Sequence, residues 1–126
     1  QGLCYSKKYN VLIISEYHFG GAPSVLQLID LDTKRLIKSI ILNDVDDSLF
    51  LGHVGGITTD EKTLWITDDY ALYKYSFEDI VSSDNMDSVS AINMKNLNIK
   101  ADFINYHNDI CGEDINCLVY QIDFNE

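Results

Sequence analysis

Three stretches of this chain share one pattern: a short apolar strand ending in an acid, a turn, then a second strand ending in Asp or Ser. They are "NVLIISEYHFGGAPSVLQLIDLDT", "KTLWITDDYALYKYSFED" and "NDICGEDINCLVYQIDFNE". The acids are Glu16, Asp68 and Glu113, and the second strands end at Asp30, Ser76 and Asp123, successively 46 and 47 residues apart. Each unit follows a strand with a small or special residue near its start: "QGLCYS", "HVGGITTD" and "ADFINY". A fourth strand follows, "RLIKSIIL" in the first unit and "SVSAINM" in the second. Four antiparallel strands at a period near this length match a β-propeller blade. One four-stranded sheet cannot cover both its faces, so such units must stack.

The expected class is therefore all-β, built as propeller blades. Blade one covers about 1–43, blade two about 52–97 and an incomplete blade three about 101–126. That is about two and three-quarter blades, where a closed ring needs about four to eight. The chain is then a fragment of a ring, or half of a ring closed by a second copy. The alternative is a small sheet protein, such as a β-sandwich, that mimics blade spacing. The best helical candidate is "SFEDIVSSDNM", where Ser76 caps one short turn containing Phe77 and Ile80.

Over residues 52–80, "GHVGGITTDEKTLWITDDYALYKYSFEDI" resembles the blade consensus of the NHL, YncE-like and SMP-30/gluconolactonase propellers. It is more similar still to uncharacterised secreted bacterial propeller proteins with "GHxGG" blades. The resemblance implies a six-bladed ring and an extracytoplasmic setting. Its SMP-30-like branch implies a divalent metal and lactone hydrolysis by metal-bound water. That group's carboxylates and Asn are not matched one by one in this chain.

Composition narrows the partners. Nine Lys plus Arg against twenty Asp plus Glu give a net charge of −11, which argues against nucleic acid and against an anionic membrane surface. No apolar run is long enough to span a bilayer. The charge suits solubility first, then a cation or a basic partner.

In a blade, the end of the second strand lies on the same side as the start of the first. Glu16, His53, Asp68 and Glu113 are thus expected near one mouth of the channel, as candidate metal ligands. Carboxylates suit Ca²⁺ or Mg²⁺, and an added imidazole admits Zn²⁺ or Mn²⁺. The competing expectation is structural: acids at strand ends cap nearby backbone N–H groups, and His53 fixes the blade junction. Gly55 and Gly56 fit close backbone approach, since no phosphate-loop pattern follows them. Tyr17, His18 and Phe19, in a long loop on the same side, form a candidate contact surface for a protein or small ligand. His107 and Asn108 read as solvent-facing turn residues.

Trp65, Tyr73, Tyr75 and Tyr120 read as aromatics between sheets. Cys4 and Cys111 align with strand core positions and read as small hydrophobes. The register of the Ile115–Asn116 turn sets Cys111 opposite Tyr120, which disfavours a Cys111–Cys117 disulfide. The leading functional expectation is a non-enzymatic binding or scaffold module. The alternative is a metal-dependent hydrolase of the lactonase type.

Overall fold

The computed structural model describes residues 2–106, and within them the chain is mostly β-strand. The first sheet begins with an antiparallel meander of β1 (Leu3–Ser6), β2 (Val11–Glu16), β3 (Val25–Asp30) and β4 (Arg35–Asn43). The second is a meander of β5 (Gly56–Thr59), β6 (Thr63–Asp68), β7 (Ala71–Ser76) and, at its outer edge, β9 (Asn93–Asn96). Between β7 and β9 come a six-residue helix, α1 (Phe77–Ser82), and β8 (Ser88–Ser90). Neither sheet closes into a barrel. No described helix is long and apolar enough to cross a membrane.

Turn chemistry places the strand ends. In "DLDT", Asp30 accepts from the Asp32 amide and the Thr33 hydroxyl, while Lys34 takes a left-handed φ of 59°. Asp60 does the same for the amides of Lys62 and Thr63. Short polar side chains that bond their own turn favour such bends over continued strand. Ser76 caps α1 as its composition suggests: its hydroxyl accepts from the Asp79 amide, and Phe77 and Ile80 are buried. At the other end of α1, the Lys38 ammonium donates to the carbonyls of Val81 and Ser83, groups that a helix terminus leaves without partners.

The inner strands carry the alternation that builds the core. Ile13, Leu26, Leu28, Ile40 and Leu42 of the first sheet and Leu64, Ile66, Tyr73 and Tyr75 of the second belong to one buried cluster. Phe50 and Val54, from the connection between β4 and β5, are buried in the same cluster. Phe50 meets Tyr73 edge to face at 4.7 Å, and the Tyr75 hydroxyl donates to the Asn43 carbonyl at 2.9 Å. Tyr73 and Tyr75 thus lie between the sheets as expected. Trp65 points to the opposite face of its sheet and stacks on Tyr106, with ring centroids 5.6 Å apart.

β1 and β5, each at one edge of its sheet, lie side by side. A Cβ on Gly2 would stand 2.8 Å from the Ile57 nitrogen, so the backbones touch at that end. At the other end, the Glu61 carboxylate accepts from the Ser6 hydroxyl at 2.6 Å and the Lys7 amide at 2.8 Å. The two strands therefore run in the same direction.

Two expectations need correction. "SVSAINM" is not one strand of the second sheet: Ser88–Ser90 pairs in parallel with β4 of the first sheet, and only Asn93–Asn96 completes the second. The cause is the long β4, whose outer edge offers unpaired backbone groups that the returning chain satisfies, as in the Ile41 amide bonding Asp87 and the Ala91 amide bonding Asn43. "ADFINY" forms no strand within residues 101–106. It instead lies against β5 and the β6–β7 turn, through the Tyr106 amide on the Thr58 hydroxyl and the Ala101 amide on the Asp69 carbonyl. The two strands expected in the third stretch, the second ending at Asp123, and the residues His107, Asn108, Cys111, Glu113, Cys117 and Tyr120 lie outside the described residues.

Phe50 fills the junction between the sheets, so Phe50→Ala should destabilise the fold by about 3–5 kcal/mol in urea unfolding. Glu61 accepts hydrogen bonds across the sheets, so Glu61→Ala should cost about 1–2 kcal/mol while Phe19→Ala, at an exposed site, stays within about 0.5 kcal/mol.

Candidate functional site

One edge of the molecule collects the end of β2, the end of β6 and the chain entering β5. The entering chain is non-regular yet runs through the junction, so its backbone polar groups need partners. The first sheet supplies them. The Ser24 amide donates to the Phe50 carbonyl at 2.8 Å and the Ser24 hydroxyl to the Gly52 carbonyl at 2.7 Å. The Ser15 hydroxyl donates to the Val54 carbonyl at 2.7 Å and accepts from the Gly2 amide at 2.7 Å. Both serines are fully buried.

The second sheet holds the same segment from the other side. Asp68, at the end of β6, accepts the His53 amide at 2.8 Å. Its carboxylate occupies the space beside Gly52, where a Cβ would stand 2.2 Å from Oδ2 and 2.6 Å from Cγ. Gly52 is thus required by close approach. The same holds for Gly56, where a Cβ would lie 2.6 Å from Phe103 Cα; at Gly55 it would lie 3.0 Å from the Asp102 carbonyl oxygen, a tight contact.

Burial, the largest influence, pushes the Asp68 carboxyl above its ordinary value of 3.8. The His53 amide opposes it, Asp69 and Asp44 add to it, and the His53 side chain opposes it. The Cys4 thiol is partly buried and pushed up to about 12, first by burial and then by Glu61, so it is a protonated packing group at neutral pH.

With its amide held by Asp68, His53 presents an exposed ring to the first sheet. Tyr17 stacks on it, with centroids 4.1 Å apart and planes 19° from parallel. Phe19 meets Tyr17 edge-on at 5.2 Å and is 85 % exposed. The β2–β3 loop reaches this arrangement through Gly20 and Gly21, whose φ angles of 80° and 81° suit glycine. His18 Nδ1 lies 3.1 Å from the Pro23 carbonyl, an acceptor, and Nε2 lies 3.8 Å from the Glu16 carboxylate. The Gln27 amide nitrogen also reaches Glu16, at 3.5 Å.

Glu16, His53, Asp68 and Glu113 are candidate metal ligands by sequence, or else strand-end caps and a junction residue, and Tyr17, His18 and Phe19 a candidate contact surface. The structure joins members of the two groups: His53 with Tyr17, and Glu16 with His18. Glu16 and Asp68 each meet a histidine or its backbone, and no three His, Cys, Asp or Glu side chains converge as a metal site among the described residues. Glu113 lies outside those residues. Ser15, Ser24 and Gly52, which hold the segment in place, were missed. Their signal was present: a serine at an inward position of an apolar strand needs a buried partner.

Two hollows of about 320 and 260 Å³ lie elsewhere, the first along Ser82–Ser83 and Ser88–Ser90, the second between Lys8–Tyr9 and Glu61–Lys62. Comparison with protein-family models, curated proteins and solved structures returned no match.

Asp68 carries a testable pH signature. Its folded pKa is above the unfolded one, so its contribution to stability is present below the unfolded pKa and is lost as pH rises through the folded pKa. Asp68→Asn keeps an acceptor for the His53 amide without the charge. The melting temperature of this variant, relative to wild type, should therefore rise between about pH 3 and about pH 7. Asp68→Ala removes the acceptor as well as the charge and should be about 1–2 kcal/mol less stable than Asp68→Asn at every pH.

Proposed function

We propose that this chain is a propeller-type binding and scaffold module whose contact surface is the aromatic edge of Tyr17, His18, Phe19 and His53. The single observation that carries the reading is the Tyr17–His53 stack, which joins the two sheets and leaves Phe19 outermost. A large apolar side chain held by aromatic neighbours loses little conformational entropy on contact, which is what binding surfaces need. A five-stranded sheet that begins as a four-stranded meander, packed on a four-stranded sheet with β1 and β5 co-directional, supports the blade part of the reading. The closing of the ring at six blades rests on the sequence resemblance alone.

The rim decides the partner's chemistry. Glu16 lies 3.8 Å from His18 and Asp68 accepts the His53 amide, so two acids flank the aromatics, in a chain of net charge −11. A peptide or protein surface presenting Lys or Arg beside an apolar group complements both features. The hydrolase alternative is less well supported: it needs free carboxylates converging on a cation, whereas one Asp68 oxygen already accepts the His53 amide.

The test is binding to an array of basic and acidic peptides, followed by affinity measurement on the hits. Phe19→Ala should weaken binding of basic peptides about tenfold or more, corresponding to at least about 1.4 kcal/mol. Asp32→Asn, an exposed acid in the β3–β4 turn at the opposite end of β3 from Glu16, should leave it unchanged. Binding insensitive to both Tyr17→Ala and Phe19→Ala, or confined to acidic peptides, would overturn the assignment.

A further inference from the structure

A row of polar side chains crosses the first sheet on the side away from the core. Ser39 of β4 pairs with Gln27 of β3, and Gln27 stands one diagonal step from Glu16 of β2. His18, in the β2–β3 loop, continues the row, with Nε2 3.8 Å from the Glu16 carboxylate.

The hydrogen bonds of this row have a fixed direction. Two oxygens facing each other repel, so Gln27 turns its amide nitrogen to Glu16, at 3.5 Å, and its Oε1 accepts the Ser39 hydroxyl. An ionised Glu16 can only accept. At the far end the Pro23 carbonyl also only accepts, so His18 Nδ1, 3.1 Å away, carries the hydrogen. A neutral imidazole has one N–H, and here it is spent on Pro23. Nε2 of His18 therefore turns a lone pair toward the Glu16 carboxylate. Each other contact of the row has a donor, while here two acceptors face each other across a gap.

We propose that this gap seats a primary ammonium group, the side chain of a lysine on a partner peptide. A nitrogen about 2.8 Å from both acceptors sees them about 85° apart, which two ammonium N–H bonds span with little bending. Its charge also matches the carboxylate. A guanidinium sets two nitrogens on one carboxylate, a fork that leaves the imidazole unused. A metal ion needs further protein ligands, and no three His, Cys, Asp or Glu side chains converge among the described residues. The side chains of Glu16 and His18 are 41 % and 45 % exposed, so the gap is open to an incoming group. Tyr17, between them in the chain, stacks on His53, so the seat borders the aromatic edge. The inference deepens the proposed function by naming the cation recognised, and it rests on that reading for the peptide that carries the lysine.

The experiment is a titration of the isotope-labelled 126-residue chain with N-acetyl-lysine methylamide at about pH 8.5, followed on the imidazole nitrogens by nuclear magnetic resonance. That pH lies above the range in which histidine ordinarily changes charge, and a lysine ammonium is still protonated there. Free protein should show His18 protonated at Nδ1 and bare at Nε2. The probe should shift the Nε2 resonance saturably, and N-acetyl-norleucine methylamide, which lacks the ammonium, should not. His18→Phe and Glu16→Gln should each weaken probe binding about tenfold, read on the backbone amides of the β2–β3 loop, while Asp32→Asn leaves it unchanged. The amide spectrum verifies that each variant is folded, and where one is not, the contrast between the two probes on wild type decides. A proton on Nε2 of the free protein at this pH would overturn the proposal. So would a bridging water only, seen as no shift up to about 50 mM probe, or an equal response to the norleucine analogue. The small probe reads the seat without the aromatic edge, and the peptide measurements on Phe19→Ala report on that edge separately.

Discussion

A stretch of backbone with no regular structure runs through the middle of this fold, and the rest is arranged around satisfying it. Residues 50–54 enter the space between the sheets with Phe50 and Val54 as apolar anchors. Three of their carbonyls are exposed to the interior, and each has a donor: the Ser24 amide, the Ser24 hydroxyl and the Ser15 hydroxyl. An unpaired buried carbonyl costs about 1–3 kcal/mol, comparable with a sizeable fraction of the stability of a domain this small. The serines and Asp68 are therefore as much a part of the core as the leucines are. They also set where His53 sits, and through it where Tyr17 and Phe19 can stand.

Strand alternation and turn composition were readable because each depends on local chemistry. Val11–Glu16, Val25–Asp30 and Ala71–Ser76 lie where the apolar period and the flanking Asp, Gly and Lys residues place them. The Ser76 cap was legible for the same reason: one hydroxyl three residues from the amide it serves. What the residues could not reveal is which edge a short strand will choose. "SVS" has the same period whether it extends the first sheet or the second, and the choice is made by the length of β4, a property of a distant segment. The lost strand at 101–106 has a similar origin. Gly55 and Gly56 let that segment come close enough for side-chain and turn contacts to replace a ladder.

The site was legible in its parts and not in its grouping. Strand-end logic brought Glu16, His53 and Asp68 to one edge, and the structure agrees on the His53–Asp68 contact. The distinction between a ligand and a brace depends on which atom faces the neighbour, and residue type does not encode that. Asp68 meets the backbone amide of His53, which directs the imidazole outward to Tyr17. Pairing an acid with a histidine thus produced an aromatic platform.

The passage of the chain from β7 through α1 and β8 to β9 has an evolutionary corollary. The second unit lends a strand to the first before finishing itself, and Lys38 of the first fastens the helix of the second. Neither unit is a detachable cassette. Excising either sheet alone would leave β4 without its border strand or α1 without its anchor, so the two sheets can only be inherited together.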